Sequence, residues 1–104
     1  MKKEREMEII DSGSSELTIT GEIYALDHYL MIKKAIAAKI AGHNIDSLTI
    51  NIPDSPSITS AVIGLFLRLI QEKKIRLSIV ARNPSLGAML EVLRLNDIFH
   101  VVQS

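Results

Sequence analysis

The chain has 104 residues, 47% of them hydrophobic, with 12 Lys and Arg balanced by 12 Asp and Glu. That length allows one domain over residues 1–104 with one core. A net charge of zero supplies no basic field for nucleic acid or an anionic membrane. Cysteine is absent, which removes a disulfide framework, a thiolate nucleophile and any Cys-based zinc site, and aromatics at 4% leave an aliphatic core.

The chain begins MKKEREMEII, with charges of both signs and no apolar run after them. It therefore carries no readable signal peptide, and residues 1–6 are expected to be a frayed or disordered start. No apolar stretch approaches the ~20 residues of a transmembrane helix. A cytoplasmic, reducing location without direct membrane insertion is expected. Met7 to Ile10 is a candidate first strand, and Asp11-Ser12-Gly13-Ser14-Ser15 reads as a turn cluster. Leu17 to Thr20 alternates apolar and polar, as a half-buried strand does, and Gly21 ends it. From Ala25 to about Ala41 the spacing turns helical. Tyr29, Ile32, Ile36 and Ile40 share one face, with Lys33, Lys34 and Lys39 expected elsewhere. Gly42 and Asn44 supply the stop. Leu48 to Ile52 alternates again, and Pro53 and Pro56 punctuate the loop after it.

The most regular segment follows. Ile58, Ala61, Val62, Leu65, Phe66, Leu69 and Ile70 form a core-facing helical stripe, and Lys73 and Lys74 at its end suit the helix dipole. Leu77 to Ala81 is a further strand. Asn83-Pro84 opens another helix, with Leu86, Leu90 and Leu93 inward. Ile98, Phe99, Val101 and Val102 close the chain as a short apolar segment. The order ββαβαβα predicts a small α/β domain with a mixed sheet of four to five strands packed with helices.

Catalytic chemistry is not legible. His28, His43 and His100 have no metal-ligand spacing and read as surface or loop residues, so no metal is expected. The five glycines make no phosphate loop, and no Gly-x-Ser-x-Gly elbow occurs. Asp54 has Ser55, Ser57, Thr59 and Ser60 nearby but no histidine beside them. Neither an enzyme nor a bound cofactor is expected.

Three segments carry a resemblance. Leu17-Thr18-Ile19-Thr20-Gly21-Glu22-Ile23 is similar to a strand ending in Gly-Glu-Leu or Gly-Glu-Ile. Ile58-Thr59-Ser60-Ala61-Val62-Ile63-Gly64 falls on an Asp-Ser-Ser-Gly-Leu-Gly stretch leading into a helix. Asn83-Pro84-Ser85, followed by Leu90 to Phe99, is similar to a last helix ending in Gly-Leu-Asp and an apolar pair. In this order they resemble the STAS family, which includes the bacterial anti-sigma-factor antagonists. The resemblance implies a STAS-like fold and a role in signal transduction and transcription regulation. It also implies phosphorylation at Ser60, with Thr59 and Ser57 as alternatives. Its implied partners are a serine kinase that doubles as an anti-sigma factor and a metal-dependent serine phosphatase. The sequence departs from the family pattern at Thr59, where Asp is usual, at Ala61 and Val62, at Tyr24 after Gly-Glu-Ile, and at Arg94 in place of Gly.

Two local readings stay open at this point. Ser60, Ser57 or Thr59 can cap the helix start, or a phosphate on Ser60 can use the free N–H groups and dipole there. Ile63, Gly64 and Leu67 follow Ser60 on one helix face, which either meets core or forms an exposed apolar patch for docking. With the patch exposed, Thr59, Ser60, Ile63, Gly64 and Leu67 bind the partner. The rival is a non-switching STAS subunit of a larger assembly, such as a lipid-transport ABC system or a stress-signalling scaffold. A small enzyme or ligand-binding domain is a third class, needing a concave polar pocket. Alone, the chain is expected to be a monomer or weak homodimer.

Overall fold

Apolar alternation in the strands decides which face of the sheet is covered. The computed structural model describes residues 6–103, His43 by its backbone alone, so most of the frayed start expected at 1–6 lies outside the described residues. Strands β1 (Glu8–Gly13) and β2 (Glu16–Thr20) form an antiparallel hairpin. Helix α1 (Leu26–His43) then leads to β3 (Ser47–Ile52), α2 (Ser60–Glu72) to β4 (Arg76–Ala81), and α3 (Pro84–Val92) with a 3₁₀ turn (Leu95–Asp97) to β5 (His100–Gln103). The closing apolar segment is thus a fifth strand. β2 to β5 are mutually parallel, and the sheet order is β1-β2-β3-β4-β5.

Leu17, Ile19, Leu48, Ile50, Ile52, Leu77, Ile79 and Ala81 are all buried and share one sheet face. Since strand order equals chain order and each crossover takes the same hand, the three helices cover that face. The alternate residues Thr18, Thr49, Asn51 and Ser78 are only partly buried and form a polar open face. There Asn51 Nδ2 donates to Glu16 Oε2 at 2.6 Å and to Thr18 Oγ1 at 3.1 Å.

Several expectations change in detail. Asp11, Ser12 and Gly13 belong to β1, with a bulge between Asp11 and Gly13. Lys39 does not ride outside: its side chain is 2% exposed and binds the Asp11 carboxylate and the Gly13 carbonyl. The spacing accounts for this, because Lys39 lies seven residues after Ile32 and three after Ile36, on the buried side of α1. The long stem packs under the hairpin while the ammonium meets acceptors at its edge. α2 starts at Ser60, leaving Ile58 buried in the preceding loop. Val62, Phe66 and Leu69 centre its buried face, so Ala61 lies about 100° away and is exposed. Lys73 caps the helix, and Lys74 sits beyond it with φ 57°. α3 stops at Val92, so Leu93 falls out of the inward spacing and is exposed; Leu95 and Phe99 take its place in the core. Phe99 packs edge-to-face on Phe66 with ring centroids 5.9 Å apart.

Candidate functional site at the start of α2

Parallel strands send their connections out at one end of the sheet, so the loops after β2, β3 and β4 meet there. Gly21 opens the first loop with φ 78°, and a Cβ at this position would lie 2.4 Å from the Glu6 carbonyl oxygen. Only glycine fits that combination of a left-handed backbone and a close approach. Its N–H donates to Asp54 Oδ2 at 2.9 Å, and two residues on Ile23 N–H donates to Ser55 Oγ at 2.9 Å. Ser55 is buried, and its hydroxyl donates a hydrogen bond to the Ser57 carbonyl at 2.6 Å. The third loop joins through Asn83, whose Nδ2 donates to the Asp54 carbonyl at 3.1 Å and whose Oδ1 accepts from Ser85 N–H at 2.9 Å. Asp54, Ser55 and Asn83 therefore stitch three loops into one platform.

The platform carries the start of α2. Thr59 is the N-cap, its hydroxyl accepting from Val62 N–H at 3.3 Å. The cap falls to Thr59, and Ser60 is the first helical residue, exposed, with no hydrogen bond from its hydroxyl among the described residues. Ser57 is exposed in the loop. Ile63 and Leu67 lie between the two sequence alternatives: both pack on the core along one side and are partly open on the other. Gly64 shares the Ser60 face, one turn on, and a Cβ there would meet nothing within 4 Å.

Next to this face, the loop after β2 and the first turns of α1 expose Tyr24, Leu26, Leu30 and Met31, Leu26 being 73% exposed. α1 has Ala25 at its N-cap position, which offers no oxygen; instead His28 Nδ1 accepts from both Tyr24 N–H and Ala25 N–H at 3.1 Å. Among the described residues no cluster of three His, Asp or Glu side chains could hold a metal ion, and no helix is long and apolar enough to cross a membrane.

No family model matches the sequence, and no curated protein matches it. Solved structures do. An anti-sigma factor antagonist from Mycobacterium paratuberculosis superposes with a TM-score of 0.69 at 18% identity, over 93% of this chain and 84% of that one. The anti-sigma factor antagonist SpoIIAA in its unphosphorylated form gives 0.69 at 13% identity, over 95% and 88%. A Thermotoga maritima protein inferred to be an anti-sigma factor antagonist gives 0.67 at 14%, over 95% and 86%. The chain has the STAS fold. In this chain the departure at Arg94 has a conformational meaning, since Arg94 holds φ 58°, the left-handed region that favours glycine. The family's Gly-Leu-Asp pattern thus marks a backbone turn that this chain makes with an arginine.

The platform residues Asp54, Ser55 and Asn83 were not singled out by sequence pattern for this role. Their signal was weak: an Asp-Ser pair before Pro56, and an Asn before Pro84, both marking loops without saying that the loops touch. Leu26 is equally inconspicuous in sequence, because an apolar residue at a helix start reads as core until its angular position is known.

Proposed function

We propose that this STAS domain is a regulatory protein-binding module of the anti-sigma-factor-antagonist kind, working in the bacterial cytoplasm. It docks a serine kinase that doubles as an anti-sigma factor, through Thr59, Ser60, Ile63, Gly64 and Leu67. Phosphate on Ser60 releases it, and a metal-dependent serine phosphatase restores it. It catalyses nothing itself. The observation that carries this reading is the pairing of Ser60 with Gly64. A serine whose hydroxyl makes no bond among the described residues stands one turn from a mid-helix glycine that the fold does not need. Glycine inside a helix is destabilising by about 0.8–1 kcal/mol relative to alanine. A bare backbone facing open space is accounted for by a partner that approaches it closely.

The phosphate fits the same place. Ser60 is at the first helical position, beside free N–H groups and the positive end of the α2 dipole, with no acid in that first turn. A dianion there is compatible with the fold and reverses the surface a partner meets. The structural neighbour SpoIIAA is described in its unphosphorylated form, which supports reading a phosphate switch here.

The test uses the anti-sigma-type serine kinase of the same organism. Incubation with ATP should put one phosphate on the parent and none on Ser60→Ala, by intact-mass and fragment mass spectrometry. Ser60→Ala should bind as the parent does. Ser60→Asp and Leu67→Asp should each lose at least about tenfold in affinity, equivalent to 1.4 kcal/mol. Parent-like binding by both acidic variants refutes docking at this face. A loss with Leu67→Asp alone, without phosphorylation, selects the second reading, a permanent STAS subunit of a larger assembly. Thr59, Ala61 and Val62 favour that second reading, because they remove the residues flanking the serine in the family pattern.

A further inference from the structure

Helix α1 is apolar on more than its buried side. Ile32 and Ile36 face the core, yet Leu26, Leu30, Ala37 and Ala41, spaced by four, seven and four residues, make a second stripe that is exposed along the helix. A helix that is apolar all round is normally covered all round. Ala37 and Ala41 of that stripe border α2, and between the two helices runs a groove of about 430 Å³. Its floor is Ile36, Ile40, Leu65 and Leu69, and the small side chains of Ala37 and Ala41 keep it open.

The rim of the groove has a sign. Lys33, Arg68 and Lys73 line it against the lone acid Glu72, and none of the four makes an ion pair among the described residues. The bias extends beyond the rim. α1 exposes Lys33 and Lys34 against Asp27, Lys39 being buried on Asp11, and α2 with the two residues after it carries Arg68, Lys73 and Lys74 against Glu72. The compensating acids lie elsewhere: Glu6, Glu8, Glu16 and Glu22 fall in a stretch without a single Lys or Arg. The net neutrality of the chain conceals a basic α1–α2 surface.

We infer that the α1–α2 groove is a second docking site, which takes an acidic amphipathic helix from a partner protein. An apolar stripe on such a helix fits the floor, and its flanking Asp and Glu meet Lys33, Arg68 and Lys73. Two helices that both follow parallel strands run side by side, so the groove is straight and accepts a third helix along its length. The groove is centred toward the C-terminal ends of both helices, with Lys73 about 20 Å along α2 from Ser60 at 1.5 Å per residue, while its near residues Leu65 and Arg68 adjoin Gly64 and Leu67. A second copy of this chain matches the charge, through its acidic hairpin, but that hairpin brings only Ile10 as an exposed large apolar side chain to set against the stripe.

The test uses two labelled synthetic helices of about 16 residues with the same leucine face, one flanked by Glu and its twin by Lys. Fluorescence anisotropy at low salt should show the Glu peptide binding at least about tenfold tighter than the Lys twin. Amide shifts in nitrogen-15 spectra should move at Ala37, Ala41, Leu65 and Leu69. The double variant Arg68→Glu, Lys73→Glu should abolish the preference while keeping the parent's melting curve, since both residues are exposed. Ser60→Asp should change peptide affinity by less than about twofold; a greater loss puts the peptide at the start of α2 and overturns the inference. So does equal binding of the two peptides, or shifts confined to other faces. Binding of phosphatidylglycerol vesicles with no binding of the Glu peptide replaces the helix by a lipid surface. Self-association of the parent that the double variant abolishes replaces it by a second copy.

Discussion

Replacing Gly64 by alanine separates the needs of the fold from the needs of a partner. Gly64 is the fifth residue of the thirteen in α2, well inside the helix. The added methyl meets nothing within 4 Å, so no steric term opposes the gain in helix propensity. That gain is about 0.8–1 kcal/mol, from the lower backbone entropy of alanine in the unfolded chain and the better-shielded helix. For a domain of this size, 1 kcal/mol corresponds to a rise in Tm of roughly 4–8 °C. Chemical denaturation should show a higher midpoint at an unchanged slope. Under the proposed docking, the same methyl enters the interface where the partner reaches the backbone of α2, and there it should weaken binding at least about tenfold, measured by calorimetry against the anti-sigma kinase. A variant that is more stable and binds as the parent does would refute the docking role of this face. A variant that is less stable would refute the premise that the glycine is free of the fold.

Three further outcomes test the framework. Gly21→Ala should be destabilised by more than about 2 kcal/mol in urea, since φ 78° and the 2.4 Å approach to Glu6 both forbid a Cβ; a loss below about 0.5 kcal/mol would contradict the loop geometry. Arg94→Gly should raise stability by about 0.5–1 kcal/mol, because φ 58° no longer strains the backbone, although the freer unfolded chain offsets part of the relief. Leu65→Ala should lower stability by about 2–5 kcal/mol, the usual range for truncating a buried leucine, and an unchanged denaturant midpoint would mean the wrong face of α2 is buried.

The element order was readable because the strands alternate strictly and α2 keeps its three-and-four spacing through Leu69. What periodicity did not carry were the features set by contacts between distant segments. Lys39 looked like a surface charge by residue type, though its spacing from Ile32 and Ile36 already put it on the buried side. Its acceptors, Asp11 and the Gly13 carbonyl, come from a hairpin 26–28 residues earlier. Leu93 looked inward because the helix was read one residue too far, and α3 ends before it. Ser60 was placed at the start of a helix by pattern alone, but the choice of Thr59 as the cap depends on hydroxyl geometry that three adjacent hydroxyl residues leave open. The apolar stripe of Leu26, Leu30, Ala37 and Ala41 was hidden for another reason: a helix apolar on two sides has no single preferred face, and only the position of α2 shows which side is covered.

The strand order β1-β2-β3-β4-β5 also has a bearing on synthesis at the ribosome. Each strand docks on the one made just before it, so no strand must wait for a later segment to fill a gap in the sheet. Pairing between strands adjacent in sequence limits each closing loop to one crossover, which costs less loop-closure entropy than an order that skips strands. The nascent chain can therefore add one strand–helix unit at a time to a growing template. The exposed edge moves outward with each addition until β5 becomes the rim.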